Sequence, residues 1–140
     1  MLTLSKTSLT LDAAQKLVGA AVAAATARGQ RVAVAVVDQE GALLAFARMD
    51  GVPAPIVEFS IDKAYTSAVT GTATRDFFEH MNSNASLRLG LAGRNRLLVW
   101  GGGLPARHEG SVVGGIGVSG GPEDEDVACG AEALRTVGLL

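Results

Sequence analysis

The chain has 140 residues, 48% of them hydrophobic and 19% charged, and a net charge of −2. That length fits one domain with a core of its own, and so apolar a composition predicts that sister subunits cover part of the surface as a homo-oligomer. Charges of both signs are spread without a basic cluster, which excludes nucleic acid and anionic membranes as expected partners, and a lone cysteine, Cys129, excludes an intrachain disulfide or a multi-cysteine metal centre. No apolar run nears membrane-spanning length and no secretion-signal pattern opens the chain, so the expected compartment is the cytoplasm.

Thr10 caps a first helix from Leu11 to Arg28, stopped by Gly29, whose second half, Gly19 to Ala27, is built almost wholly of tiny residues. Val32–Val37 is a continuous, β-branched apolar run, as expected of a strand buried on both faces. Asp38-Gln39-Glu40-Gly41 turns the chain into a second strand from Ala42 to Met49, making a hairpin. Asp50-Gly51-Val52-Pro53-Ala54-Pro55 is a loop by its turn residues. Ile56–Val69 has helical spacing and ends before Gly71; Thr74 is placed to cap a short helix through Phe77, Phe78 and His80, with another helical piece at Ala85–Leu91. Leu97–Trp100 reads as a strand, Gly101–Pro105 as a loop and Arg107-His108-Glu109-Gly110 as a turn into the strand Val112–Ser119. The last helix is Pro122–Val137. Hairpins join antiparallel neighbours, so two strand pairs separated by a helical insert define an α+β fold, an antiparallel sheet flanked by helices.

The strand Val112–Ser119 carries a nearly bare face. With a period of two, Gly115 and Gly117 point one way with Val113 and Ser119, opposite Val112, Gly114, Ile116 and Val118. Glycines inside a strand imply that a backbone or a ligand approaches very closely, and the tiny residues of the first helix are the expected occupant. A phosphate cradle is excluded: Pro122 has no N–H to offer, and Glu123, Asp124, Glu125 and Asp126 already put negative charge at the helix start.

Chemistry concentrates in Asp62-Lys63-Ala64-Tyr65-Thr66. Asp62, Tyr65 and Thr66 share a helix face, while Lys63 points elsewhere and neighbours Ser60 and Ser67. Lys63 or Tyr65, with Asp62, could serve as general acid or base, and Lys63 could form a Schiff base with a carbonyl substrate; the structural alternative is an ion pair of Lys63 with Asp38 or Asp50. His80 and His108 are the only histidines, which rules out a three-histidine metal site. His108, in the loop between glycine-rich strands, is the better placed to reach a ligand, and either could be an axial ligand to haem iron or an ordinary surface residue. Cys129 reads as a buried, inert thiol.

The ordered set Asp50-Gly51-Val52-Pro53, Asp62-Lys63-Ala64-Tyr65-Thr66-Ser67, Gly102-Gly103-Leu104-Pro105 and Gly114-Gly115-Ile116-Gly117-Val118-Ser119-Gly120-Gly121 with Asp126 resembles the GlcG/HbpS haem-binding-like family along nearly the whole chain. The resemblance implies a profilin-like sheet with flanking helices, compact homo-oligomers and, for some relatives, haem as ligand. Asp50, Thr66, Gly102 and Gly103, which lie within these motifs, are candidate ligand-binding residues, with a purely structural role as the alternative. Two functions follow as expectations. One is a small-ligand-binding protein taking haem or another tetrapyrrole near His108. The other is an enzyme without a cofactor, acting on a small carbonyl or carboxylate metabolite, with Lys63 or Tyr65 as acid or base and Arg107 orienting a carboxylate.

Overall fold

The computed structural model describes residues 1–140, and its elements follow local signals closely. Thr10 accepts a hydrogen bond from the Ala13 N–H at 3.1 Å and starts α1 (Leu11–Ala27). The strands β1 (Ala33–Asp38) and β2 (Leu43–Arg48) form a hairpin whose turn is tied by Asp38, its carboxylate accepting from the backbone of Glu40 and Ala42. Pro53 precedes α2 (Ala54–Thr70), which ends at Gly71 in the left-handed conformation, φ 70°. Two short helices, α3 (Thr74–Met81) and α4 (Ala85–Ala92), lead to β3 (Gly103–His108) and β4 (Ser111–Ser119), and α5 (Glu123–Val137) closes the fold.

The four strands are antiparallel throughout in the order β2-β1-β4-β3, so the two hairpins meet along β1 and β4 at the centre. This is the α+β architecture expected from the sequence. One sheet face packs Val34, Val36, Ile116 and Val118 against Leu17, Ala21 and Ala25 of α1 and Ala133 and Leu134 of α5. The other packs Ala35 and Val37 against Ala64 and Ala68 of α2. No helix is long and apolar enough to cross a membrane.

Four local expectations are corrected. The bare face of β4 receives α2 and not α1: a Cβ on Gly117 would overlap the Ser60 carbonyl oxygen, and one on Gly115 would lie 2.6 Å from that of Ala64. The reason is that α2 presents its own stripe of small residues, Ser60, Ala64 and Ser67, with both hydroxyls folded back onto carbonyls of their own helix. The alanines of α1 need apolar partners, which the valines on the opposite face and α5 supply. The third strand is Gly103–His108 and not Leu97–Trp100; Pro105 is tolerated there because β3 is a sheet edge. A bulge opposite Ala106 and Arg107 breaks the period of two in β4, so Val113 joins the core with α1 and α5. Thr74 does not cap α3, since Ala73 holds that position; the Thr74 hydroxyl accepts the Gly103 N–H at 3.0 Å and anchors the start of β3.

The close approach at Gly117 separates two glycine substitutions. Gly117→Ala should lower stability by about 1–3 kcal/mol through overpacking. Gly19→Ala, on the exposed side of α1 with nothing within 4 Å of the added carbon, should raise it by about 0.5–1 kcal/mol through helix propensity. Urea unfolding of both variants checks the contrast.

Candidate functional site

The α2–β4 contact sets Lys63 beneath the end of the sheet. Ser60, Lys63, Ala64 and Ser67 lie three and four residues apart on one buried stripe, so Lys63 is carried to the same face as the glycine contact. Its Nζ donates to the Val118 carbonyl at 2.9 Å and to Asp126 Oδ2 at 3.4 Å, with both side chains only 4% exposed. Asp126 sits in the first turn of α5, where its other oxygen accepts the Gly121 N–H at 3.0 Å and closes the turn out of β4. Burial pushes the Asp126 carboxyl above the usual carboxylate range against the opposing pull of Lys63, and pushes the Lys63 ammonium down against the pull of Asp126.

This pair floors a cavity of about 290 Å³ at the sheet end, between α2 and the start of α5. Phe59 and Trp100 form one wall, packed edge to face with ring centroids 5.0 Å apart. Ser119 and Gly120–Gly121 complete the rim with Glu123, which accepts the Gly101 N–H at 2.9 Å. Beyond Trp100 and Glu123 lies a second cavity of about 470 Å³, lined also by Arg75, Phe78 and Glu79. The formal charge around the first cavity is negative, with Lys63 facing Asp126 and Glu123.

The structure separates the remaining sequence-marked residues into groups. Lys63 does form a buried ion pair, but with Asp126 and not with Asp38 or Asp50. Asp62, Tyr65 and Thr66 share a face as expected, and that face grips the Arg96–Leu98 segment. The Arg96 guanidinium stacks 3.7 Å over the Tyr65 ring and lies 3.8 Å from Asp62; Thr66 Oγ1 donates to the Arg96 carbonyl and accepts the Leu98 N–H, both at 3.0 Å. Burial raises the Asp62 carboxyl, with Arg96 opposing. Gly102 and Gly103 lie behind the Lys63 cavity, packed against Lys63 itself, where any Cβ would clash. Asp50 is exposed in the β2–α2 loop, its carbonyl accepting from Arg31 at 3.3 Å.

Arg107 and His108 stand at the other end of β3, roughly 16 Å along the strand from Gly103 at the usual rise per residue. Arg107 donates to the Gly71 carbonyl at 2.8 Å, and the His108 side chain is 56% exposed beside Glu109. His80 is exposed on α3. Cys129 is buried, and burial pushes its thiol up. No group of three His, Cys, Asp or Glu side chains is arranged to hold a metal ion.

Sequence reasoning did not place Phe59, Trp100, Ser119 or Glu123 in a site, and read Asp126 only as a motif residue and a charge at the helix start. One signal was available: Asp126, Cys129, Gly130, Ala133 and Leu134 share the buried stripe of α5, so Asp126 is the acidic residue of the first turn that faces inward. Phe59 is likewise one turn before Lys63.

A helix-covered antiparallel sheet with a charged pair under an aromatic-walled cavity describes a class of small α+β proteins with a ligand-sized recess at the sheet end. Within that class the chain belongs to the HbpS-like family, whose model, described as haem-degrading protein HbpS-like, matches residues 9–135. It is 35% identical over 128 residues to an uncharacterized 15.0 kDa protein from the dhaT-dhaS intergenic region of Citrobacter freundii, covering 91% of this chain and 90% of the relative. The crystal structure of protein ORFY from Klebsiella pneumoniae superposes with a TM-score of 0.91 at 28% identity, over 100% of this chain and 97% of that one. The PduOC:haem complex superposes with a TM-score of 0.86 at 25% identity, over 95% and 97%.

Two substitutions test how the site is held. Lys63→Met leaves Asp126 buried without its partner, so at neutral pH it should cost about 3–5 kcal/mol. With Lys63 gone, the folded-state pKa of Asp126 stays above its unfolded value. The variant should therefore lie nearest the parent in acid and fall further behind as pH rises through the folded value, which denaturant unfolding across pH measures. Thr66→Val removes both hydrogen bonds to the 96–98 segment and should cost about 1–3 kcal/mol, with faster amide exchange at Leu98.

Proposed function

We propose that this chain is a small-ligand-binding protein, with its ligand in the cavity bounded by Lys63, Phe59, Trp100 and the Gly120–Gly121 turn. The observation that supports this reading is the placement of a buried ammonium at the floor of a recess with an aromatic wall. An ion pair needed only to join α2 to α5 has no use for an opening beside it or for a tryptophan left 50% exposed.

Haem or another tetrapyrrole is the ligand class we propose to test first, because the family is described by haem degradation and PduOC is in complex with haem. A haem needs apolar faces for its ring and a donor for its iron. Phe59, Phe78 and Trp100 offer the faces, but neither histidine lines the two cavities around Trp100. The residues of one copy therefore do not fit ligation of the iron. The haem reading includes a homo-oligomer, in which the exposed His108 reaches the ring bound to another copy; the exposed Phe78, Leu89 and Trp100 agree with association.

A second reading, an enzyme acting on a small carbonyl compound, is favoured by the Lys63–Asp126 pair itself. Its carboxylate-binding version loses support, since Asp126 and Glu123 outnumber Lys63 around the cavity and Arg107 lies at the far end of β3.

Haemin titration of the full chain tests the first reading. A stoichiometric Soret shift that is lost in His108→Ala, at unchanged oligomer mass, is the expected result. Spectra matching free haemin at every ratio would sink it, and a shift retained in both His108→Ala and His80→Ala would overturn histidine ligation.

A further inference from the structure

We infer that Lys63 is a carbonyl-capturing residue, its Nζ condensing with a small uncharged aldehyde or ketone in the cavity while Asp126 carries the proton. This rests on the reading of that cavity as a ligand site. Three features of the geometry converge on it.

The first is the hydrogen-bond count on Lys63. An ammonium has three donors, and the protein takes two of them, through the Val118 carbonyl at 2.9 Å and Asp126 at 3.4 Å, leaving one while the side chain lines the cavity. The second is the looseness of the pair. At 3.4 Å it is longer than a charge-assisted hydrogen bond of about 2.7–2.9 Å. Asp126 holds the Gly121 N–H with its other oxygen, so Oδ2 is oriented toward Lys63 without being locked to it. The third is the charge of the surroundings. Glu123 and Asp126 line the cavity with Lys63 as its only cation, which repels carboxylates and phosphates small enough to sit wholly inside it and admits an uncharged compound. Phe59 and Trp100 give an apolar substituent a wall, and a volume of about 290 Å³ limits its size.

The step balances without a further reactant. The Lys63 ammonium passes a proton to Asp126, leaving a neutral amine and a neutral acid. The nitrogen lone pair bonds to the carbonyl carbon as the π pair moves to oxygen, and a proton moves from nitrogen to that oxygen to give the carbinolamine. Asp126 then returns its proton to the hydroxyl, which departs as water while the nitrogen lone pair forms the C=N bond. The product is a protonated imine facing the Asp126 carboxylate. Burial favours the neutral form of both partners, which eases the first transfer.

The chain provides its own controls, because Lys6 and Lys16 are its other lysines and both are exposed. Propanal with cyanoborohydride, followed by intact mass and peptide mapping, should propylate Lys63 at least about tenfold faster than Lys6, Lys16 or the Met1 amine, as expected of a desolvated amine beside a proton carrier. Asp126→Asn should remove most of that preference, and glyoxylate, which is charged, should label Lys63 poorly. Equal labelling of the amines, or none at Lys63, overturns the inference. Trp100 is the only tryptophan, so its fluorescence reports occupancy separately. A saturable response to propanal without an adduct overturns imine formation and leaves the ligand site standing. Neither response nor adduct overturns both imine formation and carbonyl binding, while the haemin titration decides the haem reading by itself.

Discussion

The structure depends on the contact between the backbone of α2 and the bare face of β4. Because Gly115 and Gly117 have no side chains, the Ser60 and Ala64 carbonyls lie where Cβ atoms would otherwise stand. A helix held at ordinary distance could not bring Lys63 under the sheet end, within 2.9 Å of the Val118 carbonyl and 3.4 Å of Asp126. Gly102 and Gly103 repeat the device at the start of β3, where added side chains would strike the Val118 carbonyl and the Lys63 carbonyl. Gly102, Gly103 and Gly117 thus pack against one lysine, and their cost in backbone entropy is a condition for burying it.

A buried ion pair is weak evidence for stability, since desolvating both charges offsets much of their attraction. What the Lys63–Asp126 pair supplies is position. It ties the middle of α2 to the first turn of α5, and Lys63 also holds β4 through the Val118 carbonyl. The same helix holds the Arg96–Leu98 segment through Thr66 and Tyr65, and that segment delivers Trp100 to Phe59. One helix therefore sets the floor and, through its next face, the wall of the cavity.

Membership of the HbpS-like family and this geometry bear on different parts of the molecule. The family motifs map onto the Lys63 floor and the strands around it, whereas His108 sits at the opposite end of β3. A ligand that used both would have to bridge copies. A ligand that used only the cavity would be small, flat on one side and uncharged.

Much of the chain was legible from local chemistry. Thr10, Gly29, Gly71 and the Asp38–Gly41 turn act on neighbouring backbone, so the first helix, the first hairpin and the limits of α2 follow from residues a few positions apart. The alternation of hairpins and helices was enough for an antiparallel α+β sheet. Long-range choices were not legible in this way. Both α1 and α2 carry small-residue stripes, and only the packed sheet decides that α2 takes the glycine face, because that depends on which helix can hide polar groups against a backbone. The bulge at Val113 and the edge position that admits Pro105 depend on partner strands. By itself the sequence placed Lys63 as the one basic residue of an apolar helix, with an ion pair as one of its readings; the tertiary structure decided that it is buried and that the partner is Asp126, 63 residues away, because ion pairing is a matter of distance in space and sequence spacing reaches only the next turn of a helix.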